Sequence, residues 1–137
     1  MSLRFGKMME QHEALQMNAL QLAYLGDSVW EMIVRYNLIM HKYIVHHMHK
    51  DCVSQVNAHS QAESLLKIQD TLTETEAEVV RRGRNAHAKH TAPRNQNPDE
   101  YAAATGFEAL FGYLYLTGQN DRIGKLVSNI TEVQENG

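Results

Sequence analysis

The chain has 137 residues, 43% hydrophobic and 21% charged, with two prolines and a net charge of −3. This describes one globular domain with a core of its own and excludes a disordered chain. The single cysteine, Cys52, excludes an internal disulfide framework, and no apolar run reads as a membrane span or secretory leader; the expected setting is the reducing cytoplasm, without a membrane partner.

Residues 1–10 carry no pattern and are expected to form a flexible arm. From Gln11 onward Leu15, Leu22, Leu25, Val29 and Ile33 recur at helical spacing, and Met32, Tyr36 and Ile39 continue the pattern. Helices are expected here, with a break near Asn18. Gly26 costs a helix about 1 kcal/mol against Ala and makes sense where another backbone approaches. Asp27, Glu31 and Arg35 share one face, and Glu31–Arg35 reads as an exposed ion pair. The stretch from His41 to Cys52, with His46, His47 and His49, reads as a polar interhelical loop. Zinc with Cys52 competes, but adjacent His46 and His47 cannot face one metal from a helix. Lys50 separates His49 from Asp51, so the adjacent His-Asp pair of a metal phosphohydrolase is missing. Residues 52–69 suggest one amphipathic helix through Val53, Val56, Ala62, Leu65, Leu66 and Ile68.

Thr73 and Glu76 form a capping box that opens a helix through Val79 and Val80. Its acidic start and basic end suit the helix dipole, and Gly83 is the expected exit. Residues 85–97 hold no large apolar side chain and read as an exposed basic loop, either phosphate-binding or a flexible connector. Asn97-Pro98-Asp99-Glu100 is a helix start. Tyr101 to Leu116, almost wholly apolar or small apart from Thr105 and Glu108, should be the central buried helix, ended by Gly118. Residues 120–133 make a last helix with Ile123, Leu126, Val127 and Ile130 inward. No strand pattern or repeat is visible. The expected fold is all-α, a single domain of five to seven helices.

Two features point to chemistry. Asp27 and Glu108 each lie in an apolar, helix-patterned segment with no Lys beside them. An unpaired carboxylate there is costly, so the two are expected to meet across a helix contact and hold a divalent cation. A hard divalent cation takes oxygen ligands and needs few from protein. The second feature is charge. Residues 81–94 hold five cations (Arg81, Arg82, Arg84, Lys89, Arg94) and no acid, which leaves 8 cations against all 16 acids elsewhere. Such a patch on an acidic body can engage phosphates locally.

At Leu25-Gly26-Asp27-Ser28-Val29 and at Phe107-Glu108-Ala109-Leu110-Phe111-Gly112-Tyr113-Leu114-Tyr115-Leu116 the sequence resembles the ribonuclease III catalytic domain. The two motifs occur in that family's order and about eighty residues apart. With Arg82-Gly83-Arg84-Asn85-Ala86, and with no stretch for a double-stranded-RNA-binding domain, it is most similar to the short bacterial branch, Mini-ribonuclease III. The resemblance spans roughly residues 15–130. It implies a ribonuclease III-like helical fold and a homodimer with one cleavage site per strand. It also implies Mg²⁺-dependent cleavage of double-stranded RNA, with Mn²⁺ as a substitute metal. The expected products carry 5′-phosphates and a short 3′ overhang, and the expected substrate is the large-subunit (23S) ribosomal RNA precursor. By the same resemblance Asp27 and Glu108 are the catalytic metal ligands, and Arg81, Arg82, Arg84, Asn85, His87, Lys89 and Arg94 face RNA. The chain departs from full-length relatives at Ala23, where they carry a glutamate, and at Thr105, where they carry an aspartate. Those departures leave the number of metals open. They also favour the competing reading of a catalytically inert RNA-binding or ribosome-associated protein; a helical interaction scaffold without nucleic acid is a third.

Overall fold

The computed structural model describes residues 2–3, 6–41, 45–87 and 97–136, with side chains for all of these except 2, 3, 45, 46, 49, 87 and 132–136. Seven helices occur among them: α1 (Gln11–Leu15), α2 (Ala19–Met40), α3 (Val45–Val56), α4 (Ala58–Ile68), α5 (Glu74–His87), α6 (Pro98–Leu116) and α7 (Asn120–Asn136). The all-α expectation holds.

The centre is α6. Asn97 caps it by accepting from the amides of Asp99 at 2.8 Å and Glu100 at 3.3 Å. Eleven of its side chains or glycines are buried, among them Phe107, Leu110, Phe111 and Leu114. A helix apolar on all sides must be covered on all sides, and α2, α4 and α5 do so, with α7 closing against α4 and α6. Trp30 of α2 meets Phe107 edge to face at 4.9 Å, and Phe107 meets Phe111 at 4.8 Å. The Trp30 Nε1 donates to the Gln55 carbonyl at 3.1 Å, which ties α3 to the same cluster.

The contact between α2 and α6 is made backbone to backbone. A Cβ on Gly26 would fall on the Glu108 carbonyl, and a Cβ on Gly112 would fall on the Leu22 carbonyl. Only glycines permit that approach. Gly83 serves the same purpose for α5: a Cβ there would lie 2.7 Å from the Gly106 Cα. This corrects the expectation that Gly83 lets the chain leave the helix. Close packing, rather than a turn, explains the glycine, and α5 continues to His87. Asn85 and the His87 backbone are therefore helical, not loop.

The junction before α5 is secured twice. Thr73 and Glu76 exchange hydrogen bonds at 2.9 and 3.1 Å, as a capping box should. Glu76, 4% exposed, also takes two bonds from Arg122 of α7 at 2.8 Å, and Arg122 donates to the Thr71 carbonyl. Burial opposes ionisation of Glu76, but these partners outweigh it and hold its carboxyl below the usual range.

Two more expectations change. The His-rich stretch is helical from Val45, and residues 52–69 form two helices rather than one. Asn57 explains the break. Its Nδ2 donates to the carbonyls of Val53 and Ser54 at the end of α3, and its Oδ1 accepts from the Ser60 amide to begin α4. The stretch expected as an arm is anchored at its inner end, where the Met9 amide donates to the Leu116 carbonyl at 2.8 Å. Ser2–Leu3 pairs antiparallel with Gly6–Lys7. Among the described residues no helix is long and apolar enough to cross a membrane.

Candidate active site

The glycine crossing of α2 and α6 decides where the two acids lie. Asp27 follows Gly26 directly, and Gly26 rests on the backbone of Glu108. The two carboxyls come within hydrogen-bonding reach of one another. They are not equivalent. Asp27 is exposed, while Glu108 is half-buried. Burial, and then the neighbouring Asp27, push the Glu108 carboxyl up from 4.5 to about 8. Two acids this close cannot both ionise cheaply without a cation between them.

A third helix completes the site. Gln61 of α4 is 2% exposed and turns its side chain to Glu108, where it favours the ionised carboxylate. Its Nε2 makes no well-formed hydrogen bond among the described residues. A buried N–H in that state costs about 1–3 kcal/mol. Sequence reasoning passed over Gln61. The one signal was a polar residue four positions before Leu65, on the apolar stripe of α4.

The donor set fits a hard divalent cation: two carboxylates from different helices, one of them open to solvent, and a neutral amide beside them. The positions four before Asp27 and three before Glu108 supply no ligand. Ala23 is buried, and the Thr105 hydroxyl donates to the Tyr101 carbonyl at 3.0 Å. The one group of three metal-capable side chains within mutual reach among the described residues is Glu10, His12 and Glu13, all exposed. It includes neither Asp27 nor Glu108. Cys52 is buried and His47 exposed, and no such group joins them among the described residues; the side chains of His46 and His49 lie outside those residues.

The proposed RNA-facing residues fall into three sets. Arg82 is already occupied. Its guanidinium donates to the Leu15 carbonyl at 2.6 Å and the Met17 carbonyl at 2.7 Å, closing the C-terminal end of α1. In this structure its donors satisfy helix-end carbonyls. Arg81 is exposed and forks onto Glu78 at 2.8 and 2.5 Å, Arg84 lies beside Gly106, and Asn85 is exposed. The His87 side chain, Lys89 and Arg94 lie outside the described residues. Near the start of α6, His59 bridges Glu100 at 2.7 Å and Glu63 at 3.0 Å. Glu31–Arg35 is an exposed pair at 2.7 Å, as expected.

Along the outer face of α2 runs an apolar stripe. Tyr24 is 86% exposed, and Met32, Tyr36, Ile39 and Met40 are each exposed by 57% or more. Met32, Tyr36 and Ile39, which continue the helical pattern, point away from the core. The inward residues include Leu22, Val29, Trp30, Val34 and Leu38.

Residues 20–119 match the Ribonuclease III domain family. The chain is 45% identical over 124 residues to the Mini-ribonuclease 3 of Symbiobacterium thermophilum, covering 90% of this chain and 95% of that protein. It is 40% identical over 122 residues to the Mini-ribonuclease 3 of a Thermoanaerobacter species, covering 88% and 85%. A crystal structure of a Fusobacterium nucleatum protein, 29% identical, superposes with a TM-score of 0.77 over 93% of this chain and 98% of that one.

Proposed function

This chain belongs to the ribonuclease III family, in its Mini-ribonuclease 3 branch, and from that premise we propose that it is a Mg²⁺-dependent endonuclease that cuts both strands of double-stranded RNA. That it is an endoribonuclease follows from the family. The observation that carries the finer reading is the meeting of Asp27 and Glu108 at a glycine-lined crossing, where burial and mutual repulsion make a cation the natural partner of both.

Asp27 and Glu108 would hold Mg²⁺, with Mn²⁺ as a substitute. When bound, the ion supplies an activated water and neutralises phosphate oxygens. The chain keeps the two oxygen donors in register by the rigid α2–α6 contact, so little ordering is left to binding. Asp27 is exposed and would meet the substrate from solvent, while Glu108 is half-buried behind it. Arg81 and Arg84, with Lys89 and Arg94, would hold backbone phosphates; Asn85 and His87 would reach 2′-hydroxyls.

A duplex needs one acid pair per strand, and each chain has one. The apolar stripe of Tyr24, Met32, Tyr36, Ile39 and Met40 lies on the helix that carries Asp27. It supports a homodimer formed through α2, since an exposed apolar face of this length marks an interface. The proposed substrate is the large-subunit (23S) ribosomal RNA precursor in the cytoplasm, and the products 5′-phosphates with a short 3′ overhang.

The competing reading, an RNA-binding protein without cleavage, draws on Ala23 and Thr105, which add no ligands. The test is a labelled RNA duplex with Mg²⁺ and either wild type or Asp27→Asn. Paired cuts that disappear in Asp27→Asn while binding persists are the expected result. Binding without cuts at any metal concentration, in either protein, refutes the nuclease reading and favours the inert one.

A further inference from the structure

We infer that Gln61 is a positioning residue for the metal site, its amide holding the Glu108 carboxyl in a ligand-ready orientation. The inference rests on the reading of Asp27 and Glu108 as ligands and adds a third helix to it. Gln61 is 2% exposed, and its Nε2 has no well-formed hydrogen bond among the described residues. Buried donors in that condition are uncommon and concentrate where function needs them. The side chain faces Glu108.

The amide chemistry suits the task. A glutamine N–H donates to one carboxylate oxygen and leaves the rest of its lone pairs for a cation. An acid in the same place would add a third negative charge to two that already repel. An apolar side chain would leave Glu108 to turn about its own bonds. Since Ala23 and Thr105 bring no further ligand, the orientation of Glu108 rests on few contacts, and one donor matters more. Partners of this kind commonly change metal affinity by about 10- to 100-fold.

The test uses Gln61→Met, close in length but without donors, and Gln61→Glu, which keeps the shape and replaces the donor with an acid. Mn²⁺ binding is followed by electron paramagnetic resonance on the full-length protein, beside the melting temperature without metal and the Mg²⁺ dependence of duplex cleavage. For Gln61→Met the expected result is Mn²⁺ affinity weakened about tenfold. Its metal-free melting temperature should be equal or higher, and cleavage should recover at high Mg²⁺. Gln61→Glu should melt lower without metal and gain more from Mn²⁺ than Gln61→Met does. Unchanged Mn²⁺ affinity in folded Gln61→Met overturns the inference, as does a loss matched by a falling melting temperature and the same response in both variants. If wild type itself binds no Mn²⁺, the metal reading of Asp27 and Glu108 falls, and this inference with it.

Discussion

Glu108→Gln should stabilise the metal-free protein while abolishing cleavage. In the folded chain the Glu108 carboxyl titrates at about 8 instead of 4.5, because it is buried and because Asp27 faces it. The folded protein therefore holds a proton that the unfolded chain has released, and wild-type stability falls as pH rises through that window. At 1.36 kcal/mol per pH unit the full linkage is roughly 4–5 kcal/mol. Relaxation at a site that is partly open reduces it, and about 2–3 kcal/mol is expected. Glutamine removes the titration and mimics the protonated acid towards Asp27. Urea unfolding with a chelator, at about pH 5 and about pH 8.5, isolates the group as the difference between the two proteins. Glu108→Gln should match wild type at the lower pH and exceed it at the higher. Added Mg²⁺ should restore wild type alone, since only it keeps both carboxylates. Equal pH dependence in the two proteins, or a less stable Glu108→Gln at the higher pH, refutes the reasoning.

Gly26→Ala gains up to about 1 kcal/mol of helix propensity but drives a methyl into the Glu108 carbonyl, which as helix backbone cannot yield. A net loss of about 2–3 kcal/mol is expected, together with weaker Mn²⁺ binding as Asp27 and Glu108 part; a raised denaturation midpoint would contradict it. Arg82→Met strips donors from two carbonyls and should cost about 1.5–3 kcal/mol without altering the salt dependence of RNA binding. Arg84→Met should do the reverse, reducing the log–log salt slope by about 0.9 for each phosphate no longer neutralised. Equal slopes for the two variants would show that the division between them is wrong.

The local devices were legible in the sequence because they are written at fixed short spacing: the break near Asn18, the caps at Thr73 and Asn97, the apolar run of α6, the ion pair Glu31–Arg35. Asp27 and Glu108 were legible as a pair because acids in apolar helices demand an explanation. Asn57 and Gly83 were misread for one reason. Each residue type has two roles, and the sequence alone does not choose between helix interior and helix end for Asn57, or between exit and close packing for Gly83. Arg82 and Gln61 were out of reach in a stronger sense. Their partners lie more than forty residues away, and charge or polarity at one position does not name a partner elsewhere. Composition and periodicity determined that this chain is helical, where α5 and α6 begin, and which two acids stand out. The tertiary structure decided that Glu108 is the half-buried acid and Asp27 the open one. It also decided that Arg82 reaches the carbonyls at the end of α1, and that Met32, Tyr36 and Ile39 face outward. Those outcomes depend on how closely α2, α4 and α5 can approach α6, which is set by glycines and packing across the whole chain.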